Sequence, residues 1–516
     1  MEFDPIVKFL QGKTILVTGA TGFLSKVFVE KILRLQPKVN KLYLLLRAQD
    51  EESALQRLND EIISTELFKV VREKWGSEFN HFLSSKVVVV AGDISSKNLR
   101  IKDSTLRQKM QKEIEIVVNM AATTNFFERY DVALDINTFG ALNVLNFGKK
   151  CDKVKLFLHV STAYVCGEQK GIILEKRFYM GEKKETTNLD IIDERRIAEK
   201  KLDQLRHQSP SNEALTMKMK EFGLKRAKLN GWPNTYVFTK AMGEMLLGKF
   251  KGEFPLVIIR PSMISSTYKQ PFPGWIEGLR TIDSVIMSYG KGRLTCFPGN
   301  LNSALDVIPV DMVVNAMTVA MEVHYANHQY SQETIYHVSS SLQNPMKISD
   351  FRKFMHSYFI KNPWIDRNGQ SVKVGKEMVI SRADLFSLSM KVKYVLPLKV
   401  LYLVNILSAQ RLKKVYTKHD RKIKFVIRLA ELYKPYECFS LPNSFDGRNL
   451  EKLEKVAEER GIEVAEFDFN SKNIDWGDYI MNIHIPGLLK HELLRTMFMG
   501  ILMLPRLSKL KCYIAE

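Results

Sequence analysis

Seven short apolar stretches rich in valine, isoleucine and leucine recur along much of the chain. Segments with the spacing of amphipathic helices separate most of them. Buried parallel strands read as nearly continuous apolar runs, because helices cover both faces of their sheet. The pattern therefore predicts an α/β fold with a doubly wound parallel sheet. The predicted strands are Thr14–Val17, Leu42–Leu46, Val87–Val90, Ile114–Val118, Leu156–Val160, Leu256–Ile259 and Ile335–Val338.

One interval breaks the alternation inside this region. Residues 168–233 are polar and highly charged, and their pattern predicts helices over Asp193–Gln208 and Ala214–Leu229. No apolar run long enough for another central strand occurs there. We therefore predict that the interval is an insertion outside the sheet.

The alternation stops after about residue 391. The following sequence predicts helices around Val400–Leu407 and Arg421–Tyr433. We therefore predict a nucleotide-binding and catalytic domain over residues 1–390, which includes the charged insertion. A smaller, mainly helical domain is predicted over residues 391–516.

The composition is that of a globular protein, with 516 residues of which 45% are hydrophobic and 26% charged. The net charge of +20 favours an anionic partner, which could be nucleic acid, a membrane face or a phosphate-bearing substrate. The basic residues are spread in mixed runs, without the basic and aromatic modules of nucleic-acid binders. We therefore expect no nucleic-acid partner.

The cysteine pattern indicates a reduced, intracellular protein, because five cysteines lie far apart without a CxxC pair. No set of cysteines, histidines and acids has metal-ligand spacing, so no metal site is expected. The first strand begins near Thr14, which leaves no room for a transit peptide. We therefore expect the cytosol or the cytosolic face of the endoplasmic reticulum, and not the plastid.

Membrane contact is left open by two apolar stretches, Val400–Leu407 and Met497–Leu504, which are too short to span a bilayer. The segment Leu493–Leu507 has an apolar face between basic residues. Such a pattern is typical of an interfacial helix, and equally of a helix packed inside the C-terminal domain. Peripheral membrane association and internal packing therefore remain alternatives.

The first strand runs through a glycine turn into a helix, in the order Gly19-Ala20-Thr21-Gly22-Phe23-Leu24. Gly19 permits the tight turn, and Gly22 lets the backbone approach a pyrophosphate. The helix start adds N–H groups and the positive end of a dipole. We therefore predict a dinucleotide site, in which Thr21, Phe23 and Leu24 also contact the cofactor.

Arg47 ends the second strand, where NAD-binding folds usually place an acid for the ribose hydroxyls. The planar fork of an arginine pairs with phosphate oxygens, which suits the 2′-phosphate of NADP. The sequence therefore predicts NADPH as the cofactor. Other strand ends carry the remaining expected cofactor contacts, which are Asp93, Ile94, Ala121, Ala122, Pro261 and Ser262.

Tyr236 and Lys240 stand four residues apart on a predicted helix, so their side chains share one face. Thr162 follows the fifth strand. A nearby ammonium favours the tyrosine anion and lowers its pKa from about 10, and a threonine hydroxyl can stabilise the oxyanion that hydride addition creates. The three residues are therefore the predicted catalytic set, with Tyr236 and Lys240 also contacting the cofactor.

Taken in chain order, the glycine turn, the catalytic set and the paired alanines resemble the extended short-chain dehydrogenases/reductases. More specific segments resemble the alcohol-forming fatty acyl-CoA reductases, particularly those of plants, and the resemblance covers nearly the whole chain. These segments are Arg260-Pro261-Ser262, Phe272-Pro273-Gly274-Trp275-Ile276, Phe445-Asp446 and Asp475-Trp476. One departure is Ser25, where many extended members have a third glycine that packs near the sheet.

The resemblance implies NADPH-dependent reduction of a long-chain or very-long-chain fatty acyl-CoA to the primary alcohol, through an aldehyde held by the enzyme. Two alternatives from other classes remain. A sugar-nucleotide epimerase or dehydratase on the same fold usually has an acid where Arg47 stands. A non-catalytic nucleotide-binding protein has no need of Thr162, Tyr236 and Lys240. The residue pattern favours the reductase.

Overall fold

Seven parallel strands form the central sheet, and each corresponds to one of the apolar stretches predicted to be strands. The strands are β1 (Thr14–Thr18), β2 (Lys41–Leu46), β3 (Val87–Ala91), β4 (Ile116–Asn119), β5 (Leu156–Val160), β6 (Leu256–Pro261) and β7 (Thr334–Val338). They pair in the order β7-β6-β5-β4-β1-β2-β3. The order reverses between β1 and β4, so their carboxyl ends border the crevice where such sheets bind ligands. The predicted doubly wound sheet is confirmed.

These elements belong to a computed structural model of the chain, which describes residues 4–169, 171–178, 189–208, 211–326, 334–366, 368–433 and 444–491. By its internal packing the chain divides into two compact units. Each unit is made of three separate pieces of chain. The first comprises Met1–Ile264, Asp306–Gln343 and Pro442–Lys472, and the second comprises Ser265–Leu305, Asn344–Leu441 and Asn473–Glu516.

The first unit contains the central sheet and the helices that cover it. Its α-helices are Pro5–Leu10, Phe23–Leu35, Glu51–Leu58, Lys69–Trp75, Phe79–Lys86, Ser104–Glu113, Tyr130–Ala133, Gly140–Gly148, Ile191–Gln208, Asn212–Leu229, Thr235–Phe250, Val310–Ala326, Arg448–Glu459 and Val464–Phe467. Leu16, Val117 and Phe157 of the sheet pack in one buried cluster with Leu145 and Leu247 of the covering helices. Burial on both faces is why the strands need continuous apolar sequence.

The charged insertion forms the two predicted helices, as Ile191–Gln208 and Asn212–Leu229. Neither helix contributes to the sheet. Glu194, which is almost completely buried, accepts a hydrogen bond from the hydroxyl of Tyr130 at 2.6 Å and pairs with Arg226. The Tyr130 hydroxyl therefore attaches the insertion through Glu194, and the Glu194–Arg226 ion pair joins the two insertion helices to each other.

The second unit is mainly helical, and this confirms the helical character expected for the C-terminal region. Its α-helices are Thr281–Gly290, Ile348–Lys361, Ala383–Met390, Leu396–Leu407, Lys413–Tyr433 and Trp476–Asp478. The boundary predicted at residue 390 lies within this unit, so a division there stays a prediction. Among the described residues, no helix combines the length and apolarity that crossing a bilayer requires. The segment Leu493–Leu507 lies outside the described residues.

The segment from Phe272 to Ile276 forms a close turn in the second unit. Thr267 N–H donates to the Trp275 carbonyl at 3.0 Å, and Gly274 N–H donates to the Thr267 carbonyl at 2.9 Å. Gly274 has φ +79°, and a Cβ there would lie 2.9 Å from the carbonyl oxygen of Ile483. The glycine is therefore required by both its backbone conformation and the close approach of the neighbouring chain.

Candidate active site

The glycine turn at the end of β1 is shaped by backbone contacts that leave no room for side chains. Gly19 has φ +70°, and a Cβ there would lie 2.6 Å from the Cα of Ala121. Gly22 N–H donates to the Gly19 carbonyl at 2.8 Å, and Gly22 is the N-cap of the helix Phe23–Leu35. No side chain caps this helix start. The turn therefore presents backbone at a helix N-terminus, which is what a pyrophosphate needs.

Side chains around the turn hold it against the sheet. Phe23 and Leu24 are buried, whereas Thr21 is half-buried. Ser25, which replaces the third glycine of the related pattern, is buried with its Oγ 3.5 Å from the Sδ of Met120. The serine therefore fits the helix–sheet contact by reaching towards a sulfur atom.

The alanines after β4 and the residues after β3 take the places expected of them near the strand ends. Ala121 N–H donates to Thr18 Oγ1 at 3.3 Å, and Ala122 is half-buried. The Asp93 carboxylate accepts from the N–H and the hydroxyl of Ser95, at 2.9 and 2.8 Å. Ile94 is buried. These four residues lie just after the carboxyl ends of β3 and β4. Their contact with a cofactor stays a prediction.

Arg47 is exposed directly after β2. Its carbonyl accepts from Arg57 Nη1 at 2.7 Å, and Arg57 also pairs with Glu61 at 2.6 Å. Lys102 Nζ donates to the carbonyl of Gln49 at 2.9 Å. Two cationic side chains, those of Arg57 and Lys102, therefore bind the short stretch of backbone that begins with Arg47.

Lys240 ties the helix Thr235–Phe250 to the end of β5. Its buried Nζ donates to the Val160 carbonyl at 2.8 Å, two residues before Thr162. Burial lowers the pKa of Lys240 to about 8, against an opposing effect of the Glu244 carboxylate. Thr162 is buried, and its Oγ1 accepts from the N–H of Tyr164 at 3.5 Å.

Tyr236 is half-buried one helical turn before Lys240, and its ring stacks on that of Phe126 with centroids 5.7 Å apart. Because Tyr236 and Lys240 share a helix face, the contact of Lys240 with β5 brings this face to the strand end that carries Thr162. The structure therefore gathers the three predicted catalytic residues in one region of the first unit.

Two buried hydroxyls point to a missing partner at the carboxyl ends of the sheet. Ser161 and Ser262 are both nearly fully buried, and within the described residues the Oγ of each has no hydrogen-bond partner. Ser262 follows Pro261 at the end of β6, and its N–H donates to the Val338 carbonyl at 3.0 Å. Buried hydroxyls normally find a partner. Together with the glycine turn, they fit a polar cofactor lying across these strand ends.

A buried polar chain links the glycine turn to Lys240, and the sequence had not indicated it. Thr18 Oγ1 donates to Asn119 Oδ1 at 2.6 Å, Asn119 Nδ2 lies 3.0 Å from His159 Nδ1, and His159 Nε2 lies 3.3 Å from Lys240 Nζ. Burial, with the adjacent Lys240, lowers the pKa of His159 well below its ordinary value, so the imidazole is neutral at physiological pH. A histidine inside an otherwise apolar strand was the available signal.

Further contacts fix the catalytic helix. Asn137 Nδ2 donates to Thr239 Oγ1 at 3.0 Å, and Asn137 Oδ1 accepts from the Thr123 N–H at 2.9 Å. At the next turn, Glu244 accepts from the buried Arg260 Nε at 3.0 Å. The helix is therefore held on two sides by buried polar groups, which restricts movement of Lys240.

No cluster of three or more histidine, cysteine and acidic side chains suited to a metal ion occurs in the part of the chain that the structure describes. The arrangement instead suits proton transfer beside a dinucleotide. A glycine turn suited to a pyrophosphate at the end of β1, with a lysine bound to the end of β5 and a tyrosine on the same helix face, is typical of nicotinamide-dependent reductases of the extended short-chain dehydrogenase class.

Comparison with known proteins narrows this class. The NAD-binding model of the male sterility protein family matches residues 17–317, and a second male sterility protein model matches residues 393–494. Probable fatty acyl-CoA reductase 5 of Arabidopsis thaliana is 56% identical over 493 residues, which are 94% of this chain and 99% of the relative. The alcohol-forming fatty acyl-CoA reductase of Simmondsia chinensis is 50% identical over 493 residues, 95% of this chain and 99% of the relative. The chain belongs to the fatty acyl-CoA reductase family.

The fold is also found among solved structures. The terminal reductase domain of the myxalamid biosynthetic pathway has a TM-score of 0.57 at 16% identity, covering 94% of this chain and 91% of that domain. The reductase domain of a nonribosomal peptide synthetase from Mycobacterium tuberculosis has a TM-score of 0.56 at 17% identity, with 96% of each chain covered. At these identities the likeness concerns the fold. Family membership favours the reductase over the epimerase and the non-catalytic alternatives.

Proposed function

We propose that this protein reduces a fatty acyl-CoA to the primary alcohol, consuming two NADPH and releasing coenzyme A. The observation that carries the proposal is the Lys240 Nζ contact with the Val160 carbonyl, which joins the tyrosine-bearing helix to the strand ending beside Thr162. The names of the close relatives support the substrate class. The buried hydroxyls of Ser161 and Ser262 support a bound cofactor at the same strand ends.

In this proposal NADPH supplies the hydride. The protein holds the substrate carbonyl and supplies the proton. Thr162 and Tyr236 hydrogen-bond the thioester carbonyl, and they stabilise the oxyanion before it collapses and expels coenzyme A. Tyr236 then donates the proton that completes reduction of the aldehyde. The Lys240 ammonium, on the same helix face, favours the phenolate that forms when Tyr236 gives up its proton. One site therefore serves both reductions.

The preference for NADPH over NADH is supported by the charges after β2. Arg47 stands where an acid would serve the ribose of NAD. Lys102 binds the same stretch of backbone and adds positive potential for a 2′-phosphate, whereas the charge of Arg57 is paired with Glu61. The net charge of +20 favours the phosphates of both NADPH and coenzyme A.

Alcohol, and not aldehyde, is the proposed product because of the long acyl tail. Each buried methylene contributes about 0.8 kcal/mol, so a tail of roughly a dozen carbons can hold the aldehyde while the spent cofactor is exchanged. The test is to incubate purified protein with NADPH and acyl-CoAs of several lengths and to measure alcohol, aldehyde, coenzyme A and NADPH. We expect about two NADPH per coenzyme A, with alcohol as the main product. Free aldehyde at one NADPH per coenzyme A, without alcohol at excess NADPH, would overturn this.

We place the activity in the cytosol or on the cytosolic face of the endoplasmic reticulum. The five dispersed cysteines support a reducing compartment. A fluorescent fusion at the C-terminus, which leaves the N-terminus free and is imaged with plastid and endoplasmic reticulum markers, tests this location. Coincidence with the plastid marker would refute it.

A further inference from the structure

An exposed apolar stripe runs along a helical segment of the second unit. The segment consists of the helix Ala383–Met390, a π-helical turn over Lys391–Val395 and the helix Leu396–Leu407. Apolar residues recur on it at intervals of three and four, which places them on one face. Each is between 54% and 87% exposed. We call them the apolar stripe: Leu388, Val392, Leu396, Val400, Leu403 and Leu407.

The helix Leu396–Leu407 buries a polar residue and exposes leucines, which is the reverse of a helix that faces water. Its buried residue is Asn405, whose Oδ1 has no hydrogen-bond partner within the described part of the chain. Leu407, two residues further on, is 87% exposed. A helix at the surface of a soluble protein normally buries its leucines and turns its polar residues outwards. The exposed surface of the helix Leu396–Leu407 is therefore suited to an apolar environment.

Basic residues border the stripe on both sides. Lys393 follows one stripe residue directly and Lys399 precedes another, so their side chains leave the helix on opposite flanks of the stripe. Both lysines are exposed. The sequence from residue 385 to residue 419 contains no aspartate or glutamate. An exposed basic cluster follows the helix, and it consists of Arg411, Lys413 and Lys414.

We propose that the apolar stripe docks on an anionic lipid bilayer, with the helix Leu396–Leu407 lying in the plane of the interface. Its twelve residues measure about 18 Å, which is shorter than the hydrocarbon core of about 30 Å. Lysine stems can lie along apolar surface while their ammonium groups reach the headgroups. Apolar burial and attraction to anionic lipid then act together.

Charge distinguishes the bilayer from other occupants of this surface. The C-terminal sequence from residue 492 to residue 516 has four basic and two acidic residues, so it carries the same sign as the border of the stripe. A second copy of the chain would bring its own basic border. Like charges that face each other across a contact oppose its formation. Anionic phospholipid has the complementary sign.

The principal experiment measures flotation of the full-length protein with vesicles, without cofactor or substrate. Vesicles of phosphatidylcholine alone are compared with vesicles containing phosphatidylserine. The test variant carries Leu396→Ser, Val400→Ser and Leu403→Ser. We expect the wild type to bind the anionic vesicles, and the variant to lose about tenfold or more in partitioning because three interfacial side chains are removed. Lys393→Gln with Lys399→Gln should weaken binding to the anionic vesicles selectively.

A matched control replaces three equally exposed apolar residues of the first unit. Leu55, Met217 and Leu229 are 50%, 49% and 57% exposed, and all three become serine. This variant should float as the wild type does. Equal loss of binding in the control and the test variant would overturn the proposal, because it would assign binding to general surface apolarity.

A fluorescent reporter tests the same surface without removing it. In the variant Leu403→Trp, anionic vesicles should shift the tryptophan emission to shorter wavelength, and lipid brominated near the headgroup should quench it. An unchanged emission while the protein floats would overturn the proposal. This readout does not depend on how well the serine variants fold.

Two further outcomes distinguish the other occupants. Undiminished flotation of the stripe variant, with loss of flotation in Phe498→Ser, Ile501→Ser and Leu502→Ser, would assign binding to the C-terminal segment. Conversion of a dimer to a monomer by the stripe variant without vesicles, measured by light scattering, would assign the stripe to self-association. Either result overturns the proposal, and neither bears on the reductase activity.

Discussion

Lys240 is expected to increase activity at the expense of stability. Burial lowers the pKa of Lys240 from its ordinary 10.5 to about 8. A difference of this size corresponds to roughly 3 kcal/mol against the charged lysine in the folded protein at pH 7. The folded protein releases this proton before the unfolded chain does, so this contribution to stability improves as pH rises from about 8 to 10.5.

The perturbation is Lys240→Met, which keeps the length of the side chain and removes its charge. The variant avoids the cost of a buried ammonium, but it leaves the Val160 carbonyl without this donor, which costs about 1–3 kcal/mol. The two effects nearly cancel at pH 7. Between pH 7 and 9 the wild type should gain roughly 1 kcal/mol relative to the variant. Reduction of acyl-CoA and of aldehyde should be lost in the variant at every pH.

Urea unfolding followed by circular dichroism at pH 7 and pH 9 measures the stability of the two proteins. The pH profile of kcat/KM measures activity, and in the wild type it should fall about tenfold per pH unit above pH 8, as Lys240 loses its proton. Lys249→Met, an exposed position on the same helix, is the control and should change stability by less than about 0.5 kcal/mol. A flat profile to pH 10, or a stability difference that does not vary with pH, would refute the reasoning.

Three other substitutions test the site. Tyr236→Phe should lower reduction of both acyl-CoA and aldehyde by about 10²–10⁴-fold with an unchanged circular dichroism spectrum, and aldehyde reduction at the original rate would exclude Tyr236 as the shared donor. Arg47→Ala should raise the KM for NADPH roughly ten- to hundredfold in steady-state assays, because it removes a contact worth about 1.5–3 kcal/mol. Equal efficiency of NADH and NADPH in the wild type would contradict it. Gly19→Ala should abolish cofactor binding in titration calorimetry, because its Cβ would meet Ala121. Gly12→Ala, with a similar φ of +72° and nothing within 4 Å of its Cβ, should bind normally.

The central sheet was predictable from the sequence because each of its strands is a local apolar run. Even the limits agree closely, as in β5, which was predicted and observed as Leu156–Val160. The pairing of Tyr236 with Lys240 was also local, since their spacing fixes a common helix face. What the sequence could not supply was the register between strands. Register is what places Asn119 opposite His159, and so creates the buried chain to Lys240.

For a related reason, the sequence could not predict which pieces of chain make up each unit. The strand Ser444–Phe445 pairs with Ile172–Ile173 in parallel, across more than half of the chain. Each strand has only two residues, too few for a periodic signal. A linear reading therefore assigns the residues around Ser444 to the C-terminal region, whereas their packing assigns them to the first unit.

Each unit is built from three separate pieces of chain, and this arrangement has a consequence for synthesis on the ribosome. The first unit needs the piece Pro442–Lys472, which is translated only after most of the second unit. Ribosomes add roughly 5–20 residues per second, so the nascent sheet waits on the order of ten seconds after Gln343 before its last piece appears. During this interval the apolar surface that the late piece covers is exposed to solvent. Production of the protein should therefore depend on chaperones that bind nascent chains, and exchange of parts with relatives should require three matched pieces instead of a single junction.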